Sequence, residues 1–141
     1  MIEKTGLASW TGGLKDGSGT IGTGSGVLSD VPFSFATRFE DAKGTNPEEL
    51  IGAAHAACYS MFLSALMGGA GIVPDRIETT STITLDPSTA GSPTVTKAHL
   101  VATIRASADA AQIRELALKA KEGCPISKLL NAAVSLEVKI A

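Results

Sequence analysis

"TNPEELIGAAHAACYSMFLSALMGGAG", Thr45 to Gly71, decides how the rest of the chain must be arranged. Asn46 is a good helix N-cap, Pro47 suits the first helical position, and Glu48 and Glu49 complement the positive end of a helix. Gly68, Gly69 and Gly71 mark its end, with Pro74 just beyond. From Leu50 to Pro74 the only side chain able to carry charge near neutral pH is His55. A membrane-spanning helix has this length. The many Ala and Gly residues, His55, Tyr59, the serines and the absence of basic flanks favour a buried central helix instead. A helix apolar nearly all round must be covered on every side, which one small domain does poorly, so dimerisation is expected.

Before this helix lies "GLASWTGGLKDGSGTIGTGSGVLSDVPFSFATRFED", Gly6 to Asp41, rich in glycine with short β-prone runs. The pattern predicts strands near Gly6–Thr11, Gly19–Thr23 and Pro32–Phe39. No G-x-x-x-x-G-K-[ST] motif points to phosphate binding. After the helix, "RIETTSTITLD" places Ile77, Ile83 and Leu85 on one face and Glu78, Thr80, Thr82 and Thr84 on the other. "KAHLVATIRAS" repeats this with Leu100, Ala102 and Ile104 opposite His99, Thr103 and Arg105. "DAAQIRELALKAKEG" carries Ile113, Leu116, Ala117 and Ala120 at helical spacing and closes at Gly123; a short helix restarts at Pro125, and "VSLEVKI" supplies a last strand. Strands and helices in separate runs predict an α+β fold, with residues 1–141 forming a single domain.

The composition agrees with a globular chain: 44% apolar, 18% charged, and only 4% aromatic, so Ala, Val, Leu and Ile must fill the core. A net charge of −2 with scattered Lys and Arg argues against nucleic-acid or anionic-membrane partners and for a small molecule or a protein. "MIEKTGLASW" does not read as a secretion signal, so a cytoplasmic location is expected. In that reducing compartment two cysteines are catalytic, metal-binding or simply buried more often than they form a permanent bridge.

Cys58 lies about three turns inside its helix, beyond reach of the helix dipole, and burial would raise its pKa. A nucleophilic role therefore needs a cation from elsewhere, because the thiolate is the reactive form. Arg38 in "TRFED" is the nearest candidate; the plain alternative pairs Arg38 with Glu40 or Asp41 at the surface. Cys124, between Gly123 and Pro125, is at the expected N-cap of the short helix, where backbone N–H groups favour a negative sulfur. Glu48 precedes Cys58 by roughly 280° and about 15 Å on an ideal helix, so it cannot touch the sulfur, but it is better placed than Glu49 to orient Arg38. His55, one turn before Cys58, suggests a base–nucleophile pair or half of a zinc site. Zinc would need further ligands, and only Cys124 and His99 remain, so a packed or interfacial histidine is the preferred reading. His99 reads as solvated.

"TRFED", "GTNPEELIGAAHAACYSMFLS" and "KAKEGCPISKLL" together resemble the OsmC/Ohr family of thiol-dependent peroxidases. "GAAHAAC" and "CPISKLL" are similar to the OsmC (osmotically inducible protein) branch. The similarity extends over nearly the whole chain. It implies an OsmC-like fold in which antiparallel sheets wrap two central helices in an intertwined homodimer. It also implies Cys58 as the peroxidatic cysteine, Cys124 as the resolving one, Arg38 as the activating cation and Glu48 as its carboxylate partner.

The implied activity is reduction of organic hydroperoxides, and of hydrogen peroxide less well, to alcohols in oxidative and osmotic stress. It runs through a Cys58 sulfenic acid and an intramolecular Cys58–Cys124 disulfide, with no cofactor or metal. A dithiol, by resemblance a lipoyl group on a partner protein, would restore the thiols. Met61, Phe62, Leu63 and Ile126 are candidates to line the approach of an organic substrate. The alternatives are a non-enzymatic redox-sensing or binding dimer and a structural zinc protein.

Overall fold

The glycine-rich start of the chain folds into three strands, β1 (Gly6–Thr11), β2 (Ser18–Thr23) and β3 (Val31–Phe33), in a computed structural model that describes residues 1–141. They form an antiparallel sheet in the order β1-β2-β3, with Trp10 opposite Gly19 and Gly19 opposite Phe33. Glycine is required there, since a Cβ on Gly19 would collide with the Ser9 carbonyl and the Phe33 ring. The third strand is shorter than the sequence pattern predicts. It stops at Phe33, and Phe35–Phe39 form a one-turn helix, α1. Ser34 caps that helix: its Oγ accepts from Thr37 N at 3.2 Å, and Thr37 Oγ1 accepts from Ser34 N at 2.8 Å. This reciprocal capping box outweighs the β preference of the phenylalanines.

The chain divides into two compact units, Met1–Leu50 and Ile51–Ala141. Helix α2 (Pro47–Gly69) has 23 residues and starts as its sequence predicts, with Asn46 Oδ1 accepting from Glu49 N at 2.8 Å. In the second unit follow β4 (Arg76–Asp86), β5 (Thr94–Arg105), α3 (Ala110–Gly123), α4 (Pro125–Leu129) and β6 (Ala133–Ile140). These strands form a sheet in the order β4-β5-β6. The expectation of purely antiparallel sheets is corrected here: β4 and β5 are antiparallel, but β5 and β6 run parallel. The α3–α4 crossover carries the chain back to the sheet in the same direction, which strand alternation alone does not reveal.

One face of this sheet carries the core. Ala98, Leu100, Ala102 and Ile104 are fully buried, together with Tyr59, Leu63 and Met67 of α2 and Ile113, Ala117 and Ala120 of α3. Aliphatic residues do the filling, and the lone tyrosine satisfies its buried hydroxyl by donating to Ala117 O at 3.1 Å. Along α2 the buried residues are Gly52, His55, Tyr59, Leu63 and Met67, a stripe at helical spacing. The expectation of cover on every side is not met by one chain, since Met61 on the same helix is 78% exposed. Two glycines serve close packing: a Cβ on Gly52 would lie 2.7 Å from Ser81 O, and one on Gly123 would strike the Phe62 ring. Gly123 thus ends α3 without a left-handed backbone, contrary to the usual C-terminal glycine.

Candidate active site

Cys58 lies about three turns into α2, half-buried, and Cys124 is fully buried at the joint between α3 and α4. The joint is built from the backbone. Cys124 N donates to Ala120 O at 2.9 Å as the last bond of α3, and Cys124 O accepts from Lys128 N at 3.0 Å as the first bond of α4. Pro125, with no N–H to give to α3, forces one helix to stop and opens the next. The two sulfurs are 3.1 Å apart, and both are free thiols.

Burial pushes the Cys58 thiol above its ordinary range; the adjacent Cys124 sulfur, competing for the same proton, adds to this. A hydrogen bond from the Ile126 backbone N–H opposes the rise. The sequence reading assigned the amides of the short helix to the Cys124 sulfur. In the structure Cys124 makes no side-chain capping bond to α4, and the Ile126 amide faces Cys58 instead.

In the first unit, Arg38 at the end of α1 pairs with Glu48 at the start of α2. Nη2 lies 2.7 Å from Oε1 and Nε 3.2 Å from Oε2, a two-pronged bond. The guanidinium therefore pairs with Glu48 and not with Glu40, Asp41 or Glu49. The Glu48 side chain is 13% exposed and that of Arg38 36%, so one end of the guanidinium stays open. Beside it is a cavity of about 250 Å³ lined by Trp10, Leu14, Phe33, Phe35, Phe39 and Arg38, among others. Four of the chain's six aromatic residues stand in this wall, counted from one Trp, one Tyr and four Phe. Sequence reasoning missed the cavity; the signal was the gathering of scarce aromatic residues around Arg38.

The residues first expected to line a substrate approach are distributed differently. Leu63 is sealed in the core, and Met61 is largely exposed. Phe62 packs its ring against Gly123, and Ile126 leans on the core edge while its amide serves Cys58.

His55 is fully buried, and both ring nitrogens are engaged: Nδ1 is 2.8 Å from Ser81 Oγ on β4 and Nε2 2.8 Å from Ser127 Oγ on α4. Burial lowers its pKa, so the ring is neutral at physiological pH, and each serine can donate or accept to suit the tautomer. With both nitrogens taken, His55 offers none to Cys58 or to a metal. His99 is half-exposed and bonds Ser135 Oγ at 2.7 Å on the polar face of the sheet.

Comparison with known proteins gives one consistent answer. Residues 40–139 match the family model described as OsmC-like protein. The chain is 48% identical over 140 residues to Peroxiredoxin OsmC of Escherichia coli (strain K12), covering 99% of this chain and 97% of that protein. Among solved structures, the organic hydroperoxide resistance protein OhrB of Bacillus subtilis superimposes with a TM-score of 0.70 at 28% identity, covering 96% of this chain and 98% of that one. An OsmC-like protein from Mycoplasma pneumoniae shares the fold, with a TM-score of 0.78 at 16% identity over 99% of this chain and 98% of that one.

Proposed function

The chain belongs to the OsmC family, and on that premise we propose that it is a thiol-dependent peroxidase acting on organic hydroperoxides, and less well on hydrogen peroxide. The Cys58 thiolate attacks the outer peroxide oxygen; the O–O bond breaks, an alcohol leaves with a proton, and Cys58 becomes a sulfenic acid. The Cys124 thiol then displaces water from that sulfenic acid and forms a disulfide. An external dithiol, such as a lipoyl group on a partner protein, takes over the oxidation by exchange and returns both cysteines to thiols.

Arg38 is the cation that holds the Cys58 thiolate and meets the negative charge on the departing oxygen, and Glu48 keeps its guanidinium oriented. Met61, Phe62 and Ile126 are proposed contacts of the substrate's organic part. The chain acts as one OsmC-like domain, in the cytoplasm, in defence against oxidative and osmotic stress. It works as an intertwined homodimer, a reading supported by the exposed side of α2 and by β1, whose residues are all exposed in the single chain.

The observation that carries the proposal is the 3.1 Å gap between two unbridged thiols, one of them fully buried. Intact mass after one equivalent of an alkyl hydroperoxide should fall by two hydrogens, with Cys58 and Cys124 joined in one peptide pair. An unchanged mass refutes the scheme. Sustained peroxide consumption with excess dithiol separates this enzyme from a redox sensor that reacts once.

A further inference from the structure

The contacts between α2 and the Cys124–α4 segment form a two-rung ladder. One rung is Cys58 to Cys124 at 3.1 Å; the other is His55 to Ser127 at 2.8 Å. Each rung is three residues from the other along both segments, and the segments run in opposite senses. His55 is tied on its far side to Ser81 at 2.8 Å, in a strand paired with β5 along its full length. Gly52 makes this possible, because its missing Cβ lets α2 approach the Ser81 backbone.

Helix α4 needs such a tie. It has five residues, no side-chain cap at its start and none of the length that lets a helix persist alone. Pro125 and Leu129 are exposed, and Ser127 makes the one side-chain hydrogen bond of the helix.

Resting on the peroxidase reading, we infer that His55 is a positioning residue: it pins α4 through Ser127 so that Cys124 stays opposite Cys58 while Cys58 is a sulfenic acid. A disulfide has its sulfurs about 2.05 Å apart, so roughly 1 Å of approach completes the bond when α4 is held. When α4 is loose, Cys124 spends less time in reach. A second hydroperoxide can then oxidise the Cys58 sulfenic acid to a sulfinic acid, losing its own oxygen and leaving as an alcohol.

The test is the ratio of sulfinic acid to disulfide, read by mass spectrometry in the full-length protein at fixed excess of an alkyl hydroperoxide. Ser127→Ala should raise this ratio roughly three- to tenfold, the factor expected for one neutral hydrogen bond. Two substitutions at His55 separate positioning from general packing. Gln places its amide where Nε2 stands and can still reach Ser127, whereas Asn places it where Nδ1 stands and reaches only Ser81. His55→Gln should therefore stay near the unsubstituted ratio and His55→Asn should match Ser127→Ala. Equal ratios in Gln and Asn variants, or an unchanged ratio in Ser127→Ala, overturn the inference while leaving the peroxidase intact. Failure of the unsubstituted protein to form the disulfide overturns both.

Discussion

The sulfur of Cys58 stands 3.1 Å from that of Cys124, a residue 66 positions away in sequence, and the amide of Ile126, two residues beyond Cys124, also reaches Cys58. In the proposed scheme the segment opening the short helix brings two things to Cys58 at once, a thiol to trap its oxidised form and a donor to steady its charge.

The two cysteines should differ in what their loss does. Cys58→Ser should abolish peroxide consumption entirely. Cys124→Ser should consume one equivalent in forming the sulfenic acid and a second in passing to sulfinic acid, and then stop, because no second thiol intercepts the intermediate. Stopped-flow peroxide assays with mass spectrometry of the product distinguish them, and equal residual turnover in both would contradict the assigned roles.

Loss of the guanidinium should slow oxidation and move its pH dependence. Burial raises the Cys58 thiol pKa, so the rate should climb with pH until the thiolate predominates. In the proposed role of Arg38 its charge lowers that pKa, so Arg38→Met should shift the climb to higher pH and reduce the rate near neutrality about 10²-fold. Glu48→Gln, which weakens only the orientation, should cost about tenfold. Single-turnover rates between pH 5 and 10 give both values.

His55 should leave a mark on stability. Its folded-state pKa lies below the ordinary value of 6.5, so the unfolded chain takes up a proton more readily. The corresponding stability is complete above 6.5 and is lost as pH falls below it towards the folded-state value. Urea midpoints should therefore drop between pH 7 and 5 more steeply in the unsubstituted protein than in His55→Gln.

Leu63 is fully buried among the α2, β5 and α3 side chains. Leu63→Ala should cost about 2–5 kcal/mol of unfolding free energy in urea titrations, the usual penalty for a core cavity. A loss under about 1 kcal/mol would mean that the packing is looser than described.

The extents of β1, α2, β4 and α3 and the start of α4 were legible because each carries local chemistry: alternation, an asparagine cap, a proline start. What local pattern could not supply was direction and distance. Nothing in "VSLEVKI" reveals that β6 runs parallel to β5, since side-chain alternation is identical in either sense. The turn of α1 hid behind phenylalanines because its cause is the pair Ser34 and Thr37. The partnership of Arg38 with Glu48 was anticipated from helix rotation, while the aromatic cavity beside it needed residues from β1, β3 and α1 to meet. His55 was left without a partner for the same reason, its serines being 26 and 72 residues away.

The Cys124 main chain is committed in both directions, its amide to one helix and its carbonyl to the next. Main-chain travel at that point would break two bonds, so what remains free is torsion about the Cα–Cβ bond. Closure of a Cys58–Cys124 bond therefore asks for side-chain torsion alone, with neither helix unwound.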